Sequence, residues 1–378
     1  MKFVYNVASM NKQTDIIKQI LYRFTPILLI LFTLISCEPF RSNTSLQTEA
    51  AVAGVSEPVP TLPQLPPTFQ TALVNPLDTP HSYVDDTCRY LKNKWNPESA
   101  APGTIVMVIM VGNIETSTAT EPDDITQVNL IRTMQELKFQ GFEAIKMKEF
   151  LAFIERNVKI PPRSALVIQD GNYGAEHYDR YYRDYWNNWG WAVVNGWQSD
   201  PELPETLLRE NIDMEIEGLL DHQAMGIIPG TTLSDESAKT VIARELQDAL
   251  NTFGNSYGKT PFAFIWPNGG FGQRPVEAAR LLKYQLGFTA NQRGPVMYNW
   301  IPLADEADPE RPGYTPEGLI NDPLMTIPRY HANEAFEAID QVRAIGKEAA
   351  AYANANKDIE LNYYDVVCSE AYGRIPTP

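Results

Sequence analysis

The chain of 378 residues carries 31 lysines and arginines against 47 aspartates and glutamates, a net charge of −16, with 44% hydrophobic and 11% aromatic residues. That much apolar material builds a sizeable core and excludes wholesale disorder, and three cysteines are too few for a disulfide-stapled miniprotein. The acidic balance, with no cluster of lysines and arginines, excludes a nucleic-acid partner, whose phosphates need basic patches.

Lys2, Lys12, Lys18 and Arg23 precede an apolar stretch, Ile27 to Ile35, that ends in Ser36-Cys37. A basic segment, a short apolar segment and a small residue before cysteine predict a lipoprotein signal peptide over 1–36, with Cys37 lipidated. An ordinary single-span anchor is the alternative. The expected location is extracytoplasmic, lipid-anchored to a bacterial cell membrane; the acidic body leaves attachment to the acyl chains. Residues 37–80, with Pro58, Pro60, Pro63, Pro66, Pro67, Pro76 and Pro80, predict a disordered, extended tether. The folded body is then 81–378. Cys88 and Cys368 lie near its two ends and are expected to pair, two buried thiols being the alternative.

Within the body, short apolar runs alternate with longer amphipathic ones. Ile105 to Val111 reads as a buried strand, 123–140 and 147–157 as helices, and Ala165 to Ile168 as the next strand. Further strands are expected at Trp191 to Val194, Leu219 to His222, Pro261 to Trp266 and Leu324 to Pro328. Helices are expected at about 177–189, 206–217, 235–252, 274–285 and 334–355. Repeated strand–helix units predict an α/β protein with parallel strands closing into, or approaching, a β/α barrel, and functional groups belong at the carboxyl ends of such strands.

Two strand ends carry ionisable groups: Ile168-Gln169-Asp170-Gly171 and Leu220-Asp221-His222-Gln223. A carboxylate and an imidazole from two strand ends suit a shared divalent metal. Equally, Asp170 caps the helix that follows and His222 bonds to backbone.

Ile160-Pro161-Pro162-Arg163-Ser164-Ala165-Leu166-Val167-Ile168-Gln169-Asp170-Gly171 resembles the approach to the first motif, Thr-Phe-Asp-Asp-Gly, of the polysaccharide deacetylases of the NodB-homology class, carbohydrate esterase family four. Leu220-Asp221-His222 to Gly226, then Thr232-Leu233-Ser234, resembles their second motif, His-Ser/Thr-x-x-His. Pro261 to Phe271 with Leu286-Gly287-Phe288 is similar to the third, and Ile327-Pro328-Arg329-Tyr330 to their late strand. The resemblance runs from about Gly103 to Tyr330. It implies a distorted (β/α) barrel of the polysaccharide deacetylase type and hydrolysis of N-acetyl groups on cell-wall or capsular polysaccharide, with a divalent metal, zinc foremost, held by Asp170 and His222. Trp266, Asn268 and Phe271 fall where the family's substrate groove runs.

The departures bear on chemistry. Gln169 stands where the family has its general base, and an amide accepts no proton at neutral pH. Gly226 replaces the second metal histidine, and Val111-Gly112 a Tyr-His pair. His177 and His331 are candidates for a replacement acid or base, though surface positions are the plainer expectation for both, and Asp221 points away from His222. Tyr178, Tyr182, Tyr185, Trp186 and Trp189 recur at helical spacing and read mainly as core, leaving Tyr181 and Trp197 as exposed sugar-stacking candidates. Three functions stay open: a metal-dependent de-N-acetylase, a lapsed relative that binds glycan, and a scaffold lipoprotein.

Overall fold

A computed structural model describes residues 63–376, so the predicted signal peptide, Cys37 and the start of the tether lie outside the described residues. Strand β1 (Asp78–His81) and helix α1 (Thr87–Trp95) open the body. Strand β2 (Ile105–Val111) has all seven side chains buried, as a parallel strand covered on both faces requires. The short β3 (Ile114–Glu115) and β4 (Ile125–Thr126) pair beyond its end, and the Thr126 hydroxyl accepts from the Asn129 N–H to cap α2 (Gln127–Phe139). β5 (Glu143–Ala144), α3 (Met147–Arg156) and β6 (Arg163–Asp170) follow.

The single helix expected over 177–189 is two, α4 (Ala175–Tyr181) and α5 (Arg183–Trp189), because Tyr182 leaves helical geometry at φ −128°. Next come β7 (Val193–Trp197), α6 (Glu205–Glu217) and β8 (Leu220–Ala224). Helices α7 (Lys239–Ala243) and α8 (Ala249–Ser256) are joined by a π-helical turn, Arg244–Asp248. β9 (Ala263–Ile265), α9 (Gln273–Leu281), β10 (Leu286–Phe288) and β11 (Ile301–Ala304) precede the last strand, β12 (Tyr330–His331). The strand expected at Leu324 to Pro328 lies later, because Pro323–Met325 forms a 3₁₀ turn whose Met325 carbonyl accepts from the Trp266 indole at 2.7 Å. Helix α10 (Ala332–Tyr363) and the short α11 (Ser369–Tyr372) complete the body. Among the described residues no helix is long and apolar enough to cross a membrane.

The main sheet is parallel throughout, in the order β10-β9-β8-β7-β6-β2-β12, with β5 on the start of β6. It curls until one segment touches both edges. The Ile327 N–H donates to the Gly287 carbonyl at 2.8 Å, while Tyr330 and His331 pair with Ile109 and Met110. Strand alternation divides the core accordingly. Val106, Val108, Leu166, Ile168, Ile265 and Phe288 fill the interior. Met107, Ile109, Ala165 and Val167 face outward against Leu130 and Met134 of α2 and Ile339 and Val342 of α10.

Cys88 on α1 is joined to Cys368 beyond α10. The ordered chain begins before residue 81, which corrects the expected tether boundary. The Tyr352 hydroxyl donates to the Pro67 carbonyl at 2.7 Å, the Trp300 indole to the Phe69 carbonyl at 3.0 Å, and β1 pairs antiparallel with β11. Aromatic donors aimed at backbone carbonyls hold a Pro-rich segment without needing its missing N–H groups.

Candidate functional site

The barrel mouth lies at the carboxyl ends of the strands, and alternation along β6 brings Asp170 into it. Leu166 and Ile168 face the interior, so Asp170 does too. Its partner is Arg329, carried by the segment that closes the barrel: Nη1 donates to Asp170 Oδ1 at 2.7 Å and Nε to the Thr289 carbonyl at 2.6 Å. The Arg329 side chain is 1% exposed. Burial pushes the Asp170 carboxyl above its ordinary pKa, with the guanidinium pulling it back and the Asp123 carboxylate adding to the rise. Gly196, beside Asp170 in register, leaves room for the pair, since a Cβ there would stand 3.3 Å from Asp170 Oδ1 and 3.1 Å from Met225 Sδ. His331 sits two residues after Arg329, its Nε2 3.2 Å from the Tyr314 hydroxyl, and burial lowers its pKa.

His222 lies on the other side of the sheet. Across the strands it aligns with Asn195 and Gln169, whereas Asp170 aligns with Gly196 and Gln223. A single residue step reverses the face, so Asp170 and His222 do not converge on one ion as expected. His222 is fully buried in the helical layer, its ring stacked on Tyr257 at 4.7 Å. Nδ1 is 2.7 Å from Glu215 Oε2, which also accepts from the His222 backbone N–H at 2.8 Å, and Nε2 is 3.0 Å from Asn211 Oδ1. Both ring nitrogens are therefore taken. Burial lowers the imidazole pKa; Glu215, penalised by burial but more strongly held by His222 and Lys259, is brought down to about 2. Asn211 and Glu215 lie one helical turn apart on α6, a spacing readable in the sequence, but their partner on β8 is set only by the fold.

Gln169 is likewise outward-facing. Its amide donates to the Val111 carbonyl at 3.0 Å and the Gly112 carbonyl at 2.6 Å, and its oxygen accepts from the Tyr182 hydroxyl at 2.8 Å. It staples β2 to β6 and does not face the mouth. His177 stands behind it, Nε2 3.2 Å from Gln169 Oε1 and ring stacked on Tyr173, and burial lowers its pKa to about 4. Asp221 pairs with Lys259 at 3.1 Å. Gly226 has φ +91°, and a Cβ there would meet Glu245 Oε2 at 2.7 Å. The π-helical turn delivers that carboxylate, which accepts from the Ile227 N–H at 2.7 Å and the Ile228 N–H at 3.1 Å. The backbone of the second-motif loop is thus tied down where the resemblance implied a second histidine.

Of the expected sugar contacts, Trp266 is fully buried, as its indole bond to Met325 demands, and Phe271 is 6% exposed inside the outer core. Asn268 alone is exposed, donating to the Thr232 hydroxyl at 3.0 Å. Trp197, expected at the surface, packs edge-on against His222 and is buried. Tyr178 and Tyr182 are core; Tyr181, Tyr185, Trp186 and Trp189 remain half-buried.

The residues present do not fit the metal centre that the resemblance implied. Asp170 is neutralised by a guanidinium, His222 faces away with both nitrogens engaged, and among the described residues no group of three or more His, Cys, Asp or Glu is placed to hold an ion. Arg329 is the functional residue to which the sequence assigns no role: it stands in the late-strand segment, and only closure of the barrel brings it to Asp170.

No protein-family model matches the chain, and no curated protein does. Among solved structures, the Streptococcus pyogenes deacetylase PplD, solved with acetate, superposes with a TM-score of 0.50 at 14% identity, over 64% of this chain and 99% of that one. A polysaccharide deacetylase from Bacillus cereus gives 0.48 at 15% identity, over 63% and 69% of the two chains. A de-N-acetylase from Aggregatibacter actinomycetemcomitans gives 0.47 at 13%, over 63% and 98%. With its curled parallel sheet and the segment that closes it, the body of this chain has the (β/α) barrel fold of the polysaccharide deacetylases.

Proposed function

We propose that this chain is a glycan-associated protein of the cell envelope that uses the deacetylase fold without metal-assisted hydrolysis. The observation that carries the reading is the buried Asp170–Arg329 pair in the barrel mouth, with His222 on the opposite face of the sheet. Arg329 supplies inside the barrel the positive charge that a cation would bring, but a guanidinium cannot acidify a bound water as a metal ion does. Gln169 offers no base, and Asp170 is engaged as an acceptor. What the fold retains is a curled sheet with a rim of polar residues, among them Asn268 and Tyr173. Lipid anchoring through Cys37, outside the cytoplasmic membrane, belongs to the same proposal and rests on the sequence pattern of residues 1–37.

The test is metal content and acetate release together. After incubation with zinc, cobalt or manganese, the purified protein should hold far less than one ion per chain and free no acetate from N-acetylglucosamine oligomers. One metal per chain, lost in Asp170→Ala, or acetate released in proportion to enzyme, would restore the hydrolase.

A further inference from the structure

The most exposed large apolar side chains of the described residues are Phe139, Leu281 and Ile216, at 83%, 80% and 79%. They stand in the last turns of α2, α9 and α6, and exposed Val158 follows α3. Each leads straight into a strand, so all four lie at the amino end of the barrel, opposite the mouth. Helix α10 reaches the same end. A Cβ at Gly103, just ahead of β2, would meet the Gly346 carbonyl oxygen at 2.5 Å, and the helix runs on past that level to Tyr363. The π-helical turn Tyr364–Cys368 that follows exposes Val366 and Val367.

Charge divides along the same axis. The connections from helix to strand, 140–142, 157–162, 190–192, 218–219, 257–262 and 282–285, contain no acid and carry Lys159, Lys259 and Lys283. Lys259 is taken by Glu215 and Asp221, whereas Lys159 and Lys283 are exposed, as is Arg163 at the start of β6. Around the end of α10, Asp358, Asp365 and Glu370 are matched in number by Lys92, Lys357 and Arg374. At the mouth the connections from strand to helix are acidic instead. Glu115, Glu121, Asp123 and Asp124 follow β2, and Asp200 and Glu202 follow β7. Exposed Val128, at that end, comes directly after those first four acids.

The described chain also begins at the amino end. Leu65 packs on the cluster of Leu91, Tyr364 and Cys368. From there the segment climbs α10 toward the mouth, with the Pro67 carbonyl meeting Tyr352, Thr71 meeting Glu348 and the Leu73 carbonyl meeting Gln341. In sequence, only residues 38–62 separate Cys37 from this end.

We infer that the amino end of the barrel is a docking face for an anionic lipid bilayer, with the apolar helix ends set into the headgroup layer and Lys159, Arg163 and Lys283 against its charge. The inference rests on lipid anchoring through Cys37, which would hold the bilayer beside this end at an effective concentration on the order of millimolar. On a chain of net charge −16, this is the end whose connections carry no acid to be repelled by anionic headgroups. Apolar residues spaced around one end suit a broad, yielding headgroup layer, whereas a folded partner needs a continuous patch. Docked in this way, the body points its mouth away from the membrane.

The full chain, matured in a bacterial host and mixed with vesicles of phosphatidylglycerol and phosphatidylethanolamine, tests it. With Cys37 acylated and Cys88 joined to Cys368, an added cysteine is the one free thiol for a fluorophore, placed by Leu281→Cys at the amino end or Glu202→Cys at the mouth. Quenching by a headgroup spin-labelled lipid should be at least threefold greater at position 281 than at 202. It should fall at least twofold in the double variant Lys159→Glu, Lys283→Glu and in vesicles of phosphatidylcholine alone. All four positions are exposed, so circular dichroism should report folded variants. A chain that floats with the vesicles but is quenched equally at both positions, or more at 202, would overturn the docking face and leave the anchor standing. A chain that does not float with them would overturn both.

Discussion

At the scale of single residues, the mouth and the helical layer behind it are held by polar groups that each have one workable identity. Gln169 donates to two carbonyls with its amide, which a carboxylate cannot do. Gln169→Glu, the change that would mimic an acidic motif, should therefore cost about 2–4 kcal/mol in urea unfolding, because it sets a buried acid against carbonyl oxygens. Unchanged stability with new acetate release would show that the position faces substrate after all. Glu215 makes a second test through pH. Its pKa falls from an ordinary 4.5 to about 2 in the fold, so its contribution is fully present above pH 4.5 and is lost as pH drops through about 2. That is worth about 3 kcal/mol, and Glu215→Gln should remove it, flattening the acid limb of the stability curve over that window. The same residues show why the sequence reading stopped where it did. Asp170 and His222 were legible as strand-end groups, but only strand register says which face each takes, and register comes from pairing partners 26 residues or more away.

Among the secondary-structure elements, the strands with long apolar runs were the most legible. Ile105 to Val111 and the core of β6 declare themselves by composition, since buried parallel strands carry no polar alternation. β10 did not, because Leu286-Gly287-Phe288 is three residues with a glycine in the middle. That glycine is required by close approach: a Cβ at 287 would meet the Trp266 indole nitrogen at 2.7 Å and the Met325 carbonyl oxygen closer still. Gly287→Ala should thus push the 3₁₀ turn off β10, lowering stability by about 2–3 kcal/mol in thermal or denaturant melts and breaking the Trp266 bond to Met325. A melt indistinguishable from the parent would mean the turn yields freely. The β1–β11 pairing was also invisible beforehand, since Pro80 and Pro302 face each other across it and proline argues against a strand in any local reading.

Across the whole molecule, one covalent link joins the beginning and end of the body. Cys88 and Cys368 are 280 residues apart in sequence, so reduction releases a very long loop into the unfolded ensemble. Reducing the bond, or Cys88→Ser, should lower stability by about 2–5 kcal/mol, with hydrogen exchange rising first in α1 and α11, which sit on either side of it. The link also determines how the body answers a mechanical load. A pull applied at the two ends of the body reaches Cys88 at the start of α1, crosses the sulfurs and leaves past Cys368, so β2 to β12 lie outside that covalent path while the bond holds, and the load falls first on the β1–β11 pairing. With the bond cut, unfolding of the barrel would let some 280 residues pay out, on the order of 900 Å of slack, before the chain grew taut again. The oxidised body is in that sense a buckled strap, and only the residues before Cys88 and after Cys368 can stretch.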